Sequence, residues 1–319
     1  MKAIQFIGRI MSAKTWALCA LPIAIGACAS IGSANAKDES SSLQMGALTR
    51  TYTVHVPQTP PPSGGFPVIL AFHGGGMQGA GMRRLTQLDA LADRDGFIVI
   101  YPDGIDKHWN DGRSTIKNPQ DDVGFISKLL GTLSQDHAVN SRRIYATGIS
   151  NGALFAERLG CELSPQIAGI APVAGTLPAE TAPGCRPSRP VAVMQIDGTA
   201  DPIMPYGGGA VKDFGGRGEG GNVLSVMQTA EQWARLNRCE IRAEARPLPV
   251  TARFDRTRAF STQYLNCAPG GQVRILTVEG GGHAWPGGPQ YAPRLMIGVS
   301  SRQFNASNMI AEFFLSLPG

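Results

Sequence analysis

Short apolar runs alternate with longer amphipathic segments along most of the chain. Glycine follows most of the apolar runs, which is typical of buried strands in a parallel sheet. These runs cover residues 49–57, 66–74, 96–104, 142–148, 167–175, 190–198 and 272–280. The segments between them predict helices at 81–94, 121–137, 151–162, 223–237 and 303–316. This order predicts an α/β fold, in which ligands bind at the carboxyl edge of the sheet.

The first 36 residues depart from this pattern. A basic start precedes an apolar stretch broken by Pro22, and Ala34-Asn35-Ala36 fits a small-x-small cleavage site. We therefore expect a signal peptide over residues 1–36 and one mature domain over residues 37–319. A membrane anchor is less favoured, because the apolar stretch is shorter than the roughly 20 residues that cross a bilayer. Lipidation at Cys28, in a sequence that resembles a lipobox, is the other alternative.

The expected cleavage changes the charge balance. Of the 29 Lys and Arg residues, three lie in the leader, so the mature chain carries 26 against 24 acidic residues, a net charge of +2. The remaining basic residues are scattered, and we expect no nucleic-acid partner. The glycine-rich stretch 206–222 lacks the Gly-Lys-Ser/Thr ending of a phosphate-binding loop. The mature chain also shows no repeat, linker or further transmembrane pattern, which fits a single domain.

The cysteines are consistent with export. Four remain in the mature chain, with no Cys-x-x-Cys and no metal-ligand spacing. Two disulfides are therefore expected, as in secreted or periplasmic proteins. Of three possible pairings we favour Cys161 with Cys185 and Cys239 with Cys267, which close the shortest loops. Residues 250–262 predict an extra hairpin near the second bridge.

Ser150 is the candidate nucleophile. It stands in Gly148-Ile149-Ser150-Asn151-Gly152, where a strand-like run meets a predicted helix. The Gly-x-Ser-x-Gly pattern is weak by itself, but a strand-turn-helix context is what a nucleophile elbow requires. The first amides of the helix would point at any oxyanion formed beside the serine.

A serine hydroxyl needs a base, and His283 is the candidate. It follows the last core strand in a glycine-rich loop, whereas His55, His73, His108 and His137 are explained better by other positions or roles. Asp201, in the loop after the strand at 190–198, is favoured over Asp197 as the orienting carboxylate. The chain order Ser, Asp, His is that of α/β-hydrolases.

Two backbone amides are expected to bind the oxyanion. One is that of Asn151, directly after the nucleophile, and the other that of Gly75 in the His-Gly-Gly-Gly segment after an earlier strand. Trp109 and Trp285 are candidates for an aromatic wall around the acyl group, with core packing as the alternative. No metal or organic cofactor is expected.

Spaced motifs over residues 45–319 resemble a known family. HGGG, YPDG, WNDGR, DDVGFI, GISNGA, APVAGTLP, DGTADPIMPY and GGGHAWPGG occur in this order. They are similar to the secreted esterases that include polyhydroxybutyrate depolymerases, feruloyl esterases and acetylxylan esterases. The resemblance implies an α/β-hydrolase fold, a mostly parallel sheet with helices on both faces, and a triad of Ser150, Asp201 and His283. Family members usually carry histidine where this chain has Asp197.

The expected function is hydrolysis of carboxylic esters by a secreted or periplasmic serine enzyme. The resemblance implies short-chain hydroxyalkanoate oligoesters, or feruloyl and acetyl esters of polysaccharide, as substrates. A serine peptidase and a non-catalytic binding protein of the same fold are the alternatives. The binding protein is disfavoured, because such proteins usually lack a member of the triad and this chain has Ser150, Asp201 and His283.

Overall fold

The computed structural model describes residues 37–212 and 218–319. The predicted signal peptide over residues 1–36, including Cys28, lies outside the described residues. Thirteen strands are β1 Lys37–Met45, β2 Leu48–Val56, β3 Phe66–Phe72, β4 Ile98–Pro102, β5 Val139–Ile149, β6 Gly169–Val173, β7 Ala192–Gly198, β8 Gly209–Ala210, β9 Asn222–Val223, β10 Ile241–Arg242, β11 Arg246–Pro247, β12 Arg258–Leu265 and β13 Val273–Glu279. The helices are α1 Gly79–Thr86, α2 Leu88–Asp95, α3 Asp122–Asp136, α4 Asn151–Glu162, α5 Val226–Leu236, α6 Arg294–Ile297 and α7 Ala306–Ser316.

The main sheet has the order β1-β2-β4-β3-β5-β6-β7-β13-β12-β10, with β11 paired to β12. Its six central strands, from β4 to β13, are parallel. The strands outside them are antiparallel. Strand β5, which leads to Ser150, therefore lies in the interior of the sheet between β3 and β6.

Helices cover both faces of the sheet, and β3, β4, β6 and β7 are accordingly buried at every position. In β3, Val68, Leu70 and Phe72 pack into the core under α3, α4 and α5. Ile69 and Ala71 point to the opposite face, where α1, α2 and α7 pack. This alternation is the two-residue period of a strand buried on both faces. The predicted mostly parallel sheet with helices on both faces is confirmed.

Three elements differ from their sequence prediction. The helix predicted at 81–94 is divided at Gln87, whose φ of 52° interrupts the helical hydrogen bonding. The hairpin predicted at 250–262 is wrong, since β12 begins only at Arg258 and pairs with β13. Strand β1 was not predicted, because its mostly polar residues form a half-exposed edge strand against β2.

Two disulfides join Cys161 to Cys185 and Cys239 to Cys267, the pairs expected from loop length. The first ties the last turns of α4 to the segment before β7. The second ties the end of α5 to the turn after β12. Within the described residues, no helix is both long and apolar enough to cross a bilayer.

Replacing Cys161 and Cys185 together by serine is expected to lower the free energy of unfolding by about 2–4 kcal/mol, because the bridge constrains the unfolded chain. The fold around Ser150 should persist below the melting temperature, since Ser150 lies at the other end of α4. Urea denaturation of the variant beside the parent measures the difference. An unchanged urea midpoint would contradict this account of the bridge.

Candidate active site

Ser150 lies on a sharp turn between β5 and α4. Its φ of 58° and ψ of −126° are unusual for a residue with a side chain. The flanking glycines permit the turn: a Cβ at Gly148 would overlap the carbonyl oxygen of Gly152, and a Cβ at Gly152 would overlap that of Phe72. The amide of Ser150 donates to Val173 O at 3.1 Å. The hydroxyl does not cap the helix and faces a cavity.

His283 and Asp201 form a buried pair on the loops after β13 and β7. Asp201 Oδ2 lies 2.7 Å from His283 Nδ1, and both side chains are at least 96% buried. Asp201 Oδ1 accepts hydrogen bonds from the amides of Ile203 (2.7 Å) and Met204 (2.8 Å). Because a carboxylate only accepts, Nδ1 of the neutral ring carries the proton and Nε2 keeps its lone pair.

The backbone of His283 is held from two sides. Its amide donates to Ile297 O at 2.6 Å, and its carbonyl accepts from Tyr291 Oη at 2.8 Å. Ser150 and His283 line one cavity of about 490 Å³. No hydrogen bond joins these two side chains among the described residues. Such bonds are often long in unliganded enzymes and tighten around the substrate.

Gly75 and Asn151 line the same cavity. Asn151 is the first residue of α4, so its amide has no partner within the helix. Among the described residues, the Gly75 amide also donates no hydrogen bond, whereas that of Gly76 donates to Lys107 O at 2.9 Å. The two amides of Gly75 and Asn151 can therefore both reach a ligand oxygen in the cavity.

The Asn151 side chain ties the turn to the loop at 109–113. Its Oδ1 accepts from Trp109 N at 2.8 Å, and its Nδ2 donates to Trp109 O at 2.9 Å and to Asp111 Oδ2 at 2.8 Å. Asp111 also pairs with Arg113 at 2.7 Å. All three partners are buried. The Asn151 side chain thus fastens the loop at 109–113 to the start of α4, a contact that the sequence pattern did not indicate.

Both tryptophans expected at the cavity lie instead in the core. Trp109 is 0% exposed and stacks on Phe155, with ring centroids 5.1 Å apart. Trp285 is 1% exposed and donates from Nε1 to Ser307 Oγ at 3.0 Å. Neither lines the Ser150 cavity. The expected aromatic wall is therefore wrong, because both rings are large enough to fill core space behind the loops that carry them.

Residues missed by sequence reasoning line the cavity instead. The apolar ones are Met77, Ile149, Ile203, Met204 and Met296.

The same cavity is also lined by polar side chains, those of His108, Arg113, Lys212 and Glu219. The sequence places His108 in a polar loop and gives it no role at the site, whereas it favours the neighbouring Trp109 as a cavity residue. The nearness of His108 to Gly75 depends on the fold, and no local signal indicated it.

Asp197 is completely enclosed beneath the site. Burial, with a smaller contribution from the Asp201 carboxylate, raises its pKa to about 8 despite a hydrogen bond from Gln195 Nε2 at 2.7 Å. Its Oδ1 accepts from Gly175 N at 3.1 Å. Gly175 lies directly under the turn, since a Cβ there would come within 2.9 Å of Ser150 O. Asp197 therefore supports the backbone beneath the serine rather than contacting His283.

His73 and one cluster of titratable residues lie outside this cavity, and packing or ion pairing accounts for both. Burial lowers the pKa of His73 to about 4, and its Nε2 accepts from Gly104 N at 2.9 Å, so it packs as a neutral ring. Asp38, His55 and Asp89 lie close enough to suggest metal ligands. Arg83 bonds both carboxylates, at 2.6 and 2.5 Å, and so already supplies a cation to that cluster.

No protein-family model matches the chain. It is 31% identical over 294 residues to "Putative esterase NocK" of Nocardia uniformis subsp. tsuyamanensis, covering 88% of this chain and 84% of that protein. It is 30% identical over 205 residues to "Feruloyl esterase B" of Piromyces equi, covering 62% of this chain and 36% of that protein. The fold is similar to that of an acetyl xylan esterase from Aspergillus awamori, with a TM-score of 0.55 and 14% identity, over 78% of this chain and 94% of the other.

A mostly parallel sheet with a serine on a strand-turn-helix at its carboxyl edge defines an α/β-hydrolase. Within this class, the similarity to NocK over most of both chains indicates an esterase. The chain belongs to an esterase family of the α/β-hydrolase fold and is a carboxylic ester hydrolase.

Asp197→Asn is expected to make stability less dependent on pH. A folded pKa of about 8, above the ordinary value of 3.8, means that the folded state holds this proton more tightly than the unfolded state. The wild type should therefore lose stability relative to the variant as the pH rises from 5 to 8, by at most about 1.4 kcal/mol per pH unit. Urea denaturation across that range measures the difference.

Glu180→Gln is the control, because this exposed carboxyl has a lowered pKa and stays ionised throughout the range. A constant stability difference between Asp197→Asn and wild type from pH 5 to 8 would contradict the assignment of a protonated Asp197.

Proposed function

We propose that Ser150, His283 and Asp201 hydrolyse esters as nucleophile, general base and orienting carboxylate. His283 Nε2 takes the proton of Ser150 Oγ as the oxygen attacks the ester carbonyl, and Asp201 stabilises the resulting imidazolium. The amides of Gly75 and Asn151 donate to the oxyanion. The alcohol leaves with the proton held by His283, and water then cleaves the acyl-enzyme by the same steps.

The observation that carries this proposal is the position of His283. Its ring is bonded to Asp201 at 2.7 Å and lines the cavity that Ser150 faces. Buried surroundings strengthen such charge pairs relative to water. Each oxyanion donor would contribute about 3 kcal/mol to transition-state stabilisation, judged from comparable enzymes.

We propose short-chain hydroxyalkanoate oligoesters, or feruloyl and acetyl esters of polysaccharide, as the substrates. The name of the Piromyces equi relative supports the feruloyl class. The cavity of about 490 Å³ is lined by both apolar and polar side chains and would hold a short acyl or aryl group together with a more polar portion.

We also propose that the protein is exported and that its signal peptide ends at Ala36, leaving a single domain over residues 37–319. Two disulfides support an oxidising compartment. Intact mass of the exported protein tests the cleavage: a chain beginning at Lys37 is expected. A retained leader would contradict it, and a lipid-modified Cys28 would place the protein on a membrane.

Ser150→Ala is expected to lower kcat/KM for methyl ferulate, acetylated xylan, hydroxybutyrate oligomers and nitrophenyl acetate by at least about 10³-fold, since alanine lacks the attacking oxygen. An amide panel run alongside tests the serine-peptidase alternative. The wild type should also gain the mass of one fluorophosphonate adduct, and the variant none.

Ser188→Ala is the matched control, because that hydroxyl contacts only Ser164 outside the cavity, at 3.2 Å. The control should retain activity and labelling. Near wild-type hydrolysis by folded Ser150→Ala would exclude Ser150 as the nucleophile.

A further inference from the structure

A second cavity of about 470 Å³ adjoins the one that Ser150 faces. Gly76, His108 and Glu219 line both cavities and so form the partition between them. The mechanism proposed above uses none of these side chains. His108 nevertheless lies against Gly75, whose amide is proposed to bind the oxyanion.

The geometry of His108 indicates which ring nitrogen is available. Nδ1 lies 3.1 Å from Asp106 O, and because a carbonyl only accepts, Nδ1 carries a proton. Nε2 lies against Gly75, where an added Cβ would come within 2.7 Å of it. In the neutral ring, Nε2 is therefore an acceptor within a few ångströms of the Gly75 amide.

Glu219 presents a second acceptor at the same place. Its side chain is only 7% exposed, and Oε2 accepts from Lys117 N at 2.9 Å. Oε1 lies 4.0 Å from His108 Nε2, which is too long for a hydrogen bond. No described residue donates a hydrogen bond to Oε1. A nearly buried carboxylate in this position favours a hydrogen-bond donor from the ligand.

We propose that His108 Nε2 and Glu219 Oε1 together bind a hydroxyl group of the substrate. This inference rests on the proposed function, because it concerns the same cavity. A hydroxyl oxygen about 2.8 Å from each atom fits across the gap. The hydroxyl has one proton, which it donates to Glu219 Oε1, and it accepts from Nε2 of a ring that carries a proton on both nitrogens.

Other ligand groups fit this place less well. An apolar group would leave the carboxylate without a donor. A cationic group would face Arg113 and Lys212, which line the same cavity. The nearness of Nε2 to Gly75 puts the bound hydroxyl a few bonds from the ester carbonyl. The hydroxyl therefore lies either on the acyl chain or on the neighbouring carbon of the alcohol.

Three esters test the proposal and show whether the bound hydroxyl lies on the acyl chain or on the alcohol. Ethyl butyrate is the reference, ethyl 3-hydroxybutyrate carries the hydroxyl on the acyl chain, and 2-hydroxyethyl butyrate carries it on the alcohol. The wild type is expected to prefer one of the hydroxylated esters over ethyl butyrate by about tenfold in kcat/KM, as one hydrogen bond to a charged group allows.

Two variants should remove that preference, because they should lower kcat/KM for the favoured hydroxylated ester more than for ethyl butyrate. Glu219→Gln keeps the shape and removes the charge. His108→Asn keeps a donor for Asp106 O and removes Nε2, whereas His108→Gln restores a polar atom near Nε2 and should recover part of the preference.

Glu180→Gln is the matched control. Glu180 accepts from Ser114 N at 3.0 Å, three residues before the Lys117 amide that bonds Glu219, but it lines neither cavity. It should retain the full preference. Circular dichroism and melting temperature verify that each variant is folded.

The proposal is overturned if wild type does not favour either hydroxylated ester, or if folded Glu219→Gln and His108→Asn both keep the preference. A parallel loss on all three esters in both folded variants would overturn it as well, because the residues would then act on the reaction rather than on the hydroxyl. The triad proposal is tested separately by the kcat/KM of Ser150→Ala for ethyl butyrate, since near wild-type hydrolysis by this variant would contradict the triad alone.

Discussion

The close backbone approach at the end of β5 is the constraint on which the site depends. Ser150 has a positive φ, a conformation that costs on the order of 1–3 kcal/mol and persists only where the surroundings enforce it. The sheet enforces it here: Gly148 and Gly152 allow the chain to pass the carbonyls at the end of β3, and Val173 O binds the Ser150 amide. The turn thereby raises the hydroxyl above the sheet edge and points the start of α4 at the same space.

The rest of the site is assembled on neighbouring strand ends. Asp201 follows β7 and His283 follows β13, and these two strands are paired in parallel, so their loops leave the sheet on the same edge. Asp197 and Gly175 support the turn from below, and the Asn151 side chain fastens it to the loop at 109–113. Positions far apart in the chain thus share one cavity because parallel strands bring their carboxyl ends together.

Much of this arrangement could be predicted from the sequence, because it depends on local patterns. The strand-turn-helix around Ser150 and the parallel order of the strands follow from apolar runs and glycine positions. Helix α4, predicted at 151–162, has those bounds in the structure. The loop-length argument also led to the observed disulfide pairs.

The remaining features depend on tertiary contacts that local patterns do not encode. Trp109 and Trp285 were expected in the cavity, but adjacency to a polar loop does not reveal which way a side chain packs. His108 and Glu219 are 111 positions apart and meet only through the folding of two irregular loops. Strand β1 lacks an apolar period because just one of its edges is paired and its faces are partly exposed.

The central claim is that Ser150, His283 and two backbone amides surround one reacting carbon. A crystal structure of the enzyme inactivated by a phosphonate ester tests it most directly. The account predicts a bond from Ser150 Oγ to phosphorus, a phosphoryl oxygen about 2.7–3.1 Å from the amides of Gly75 and Asn151, and His283 Nε2 facing the ester oxygens. A phosphonate attached elsewhere, or a phosphoryl oxygen turned away from both amides, would contradict it.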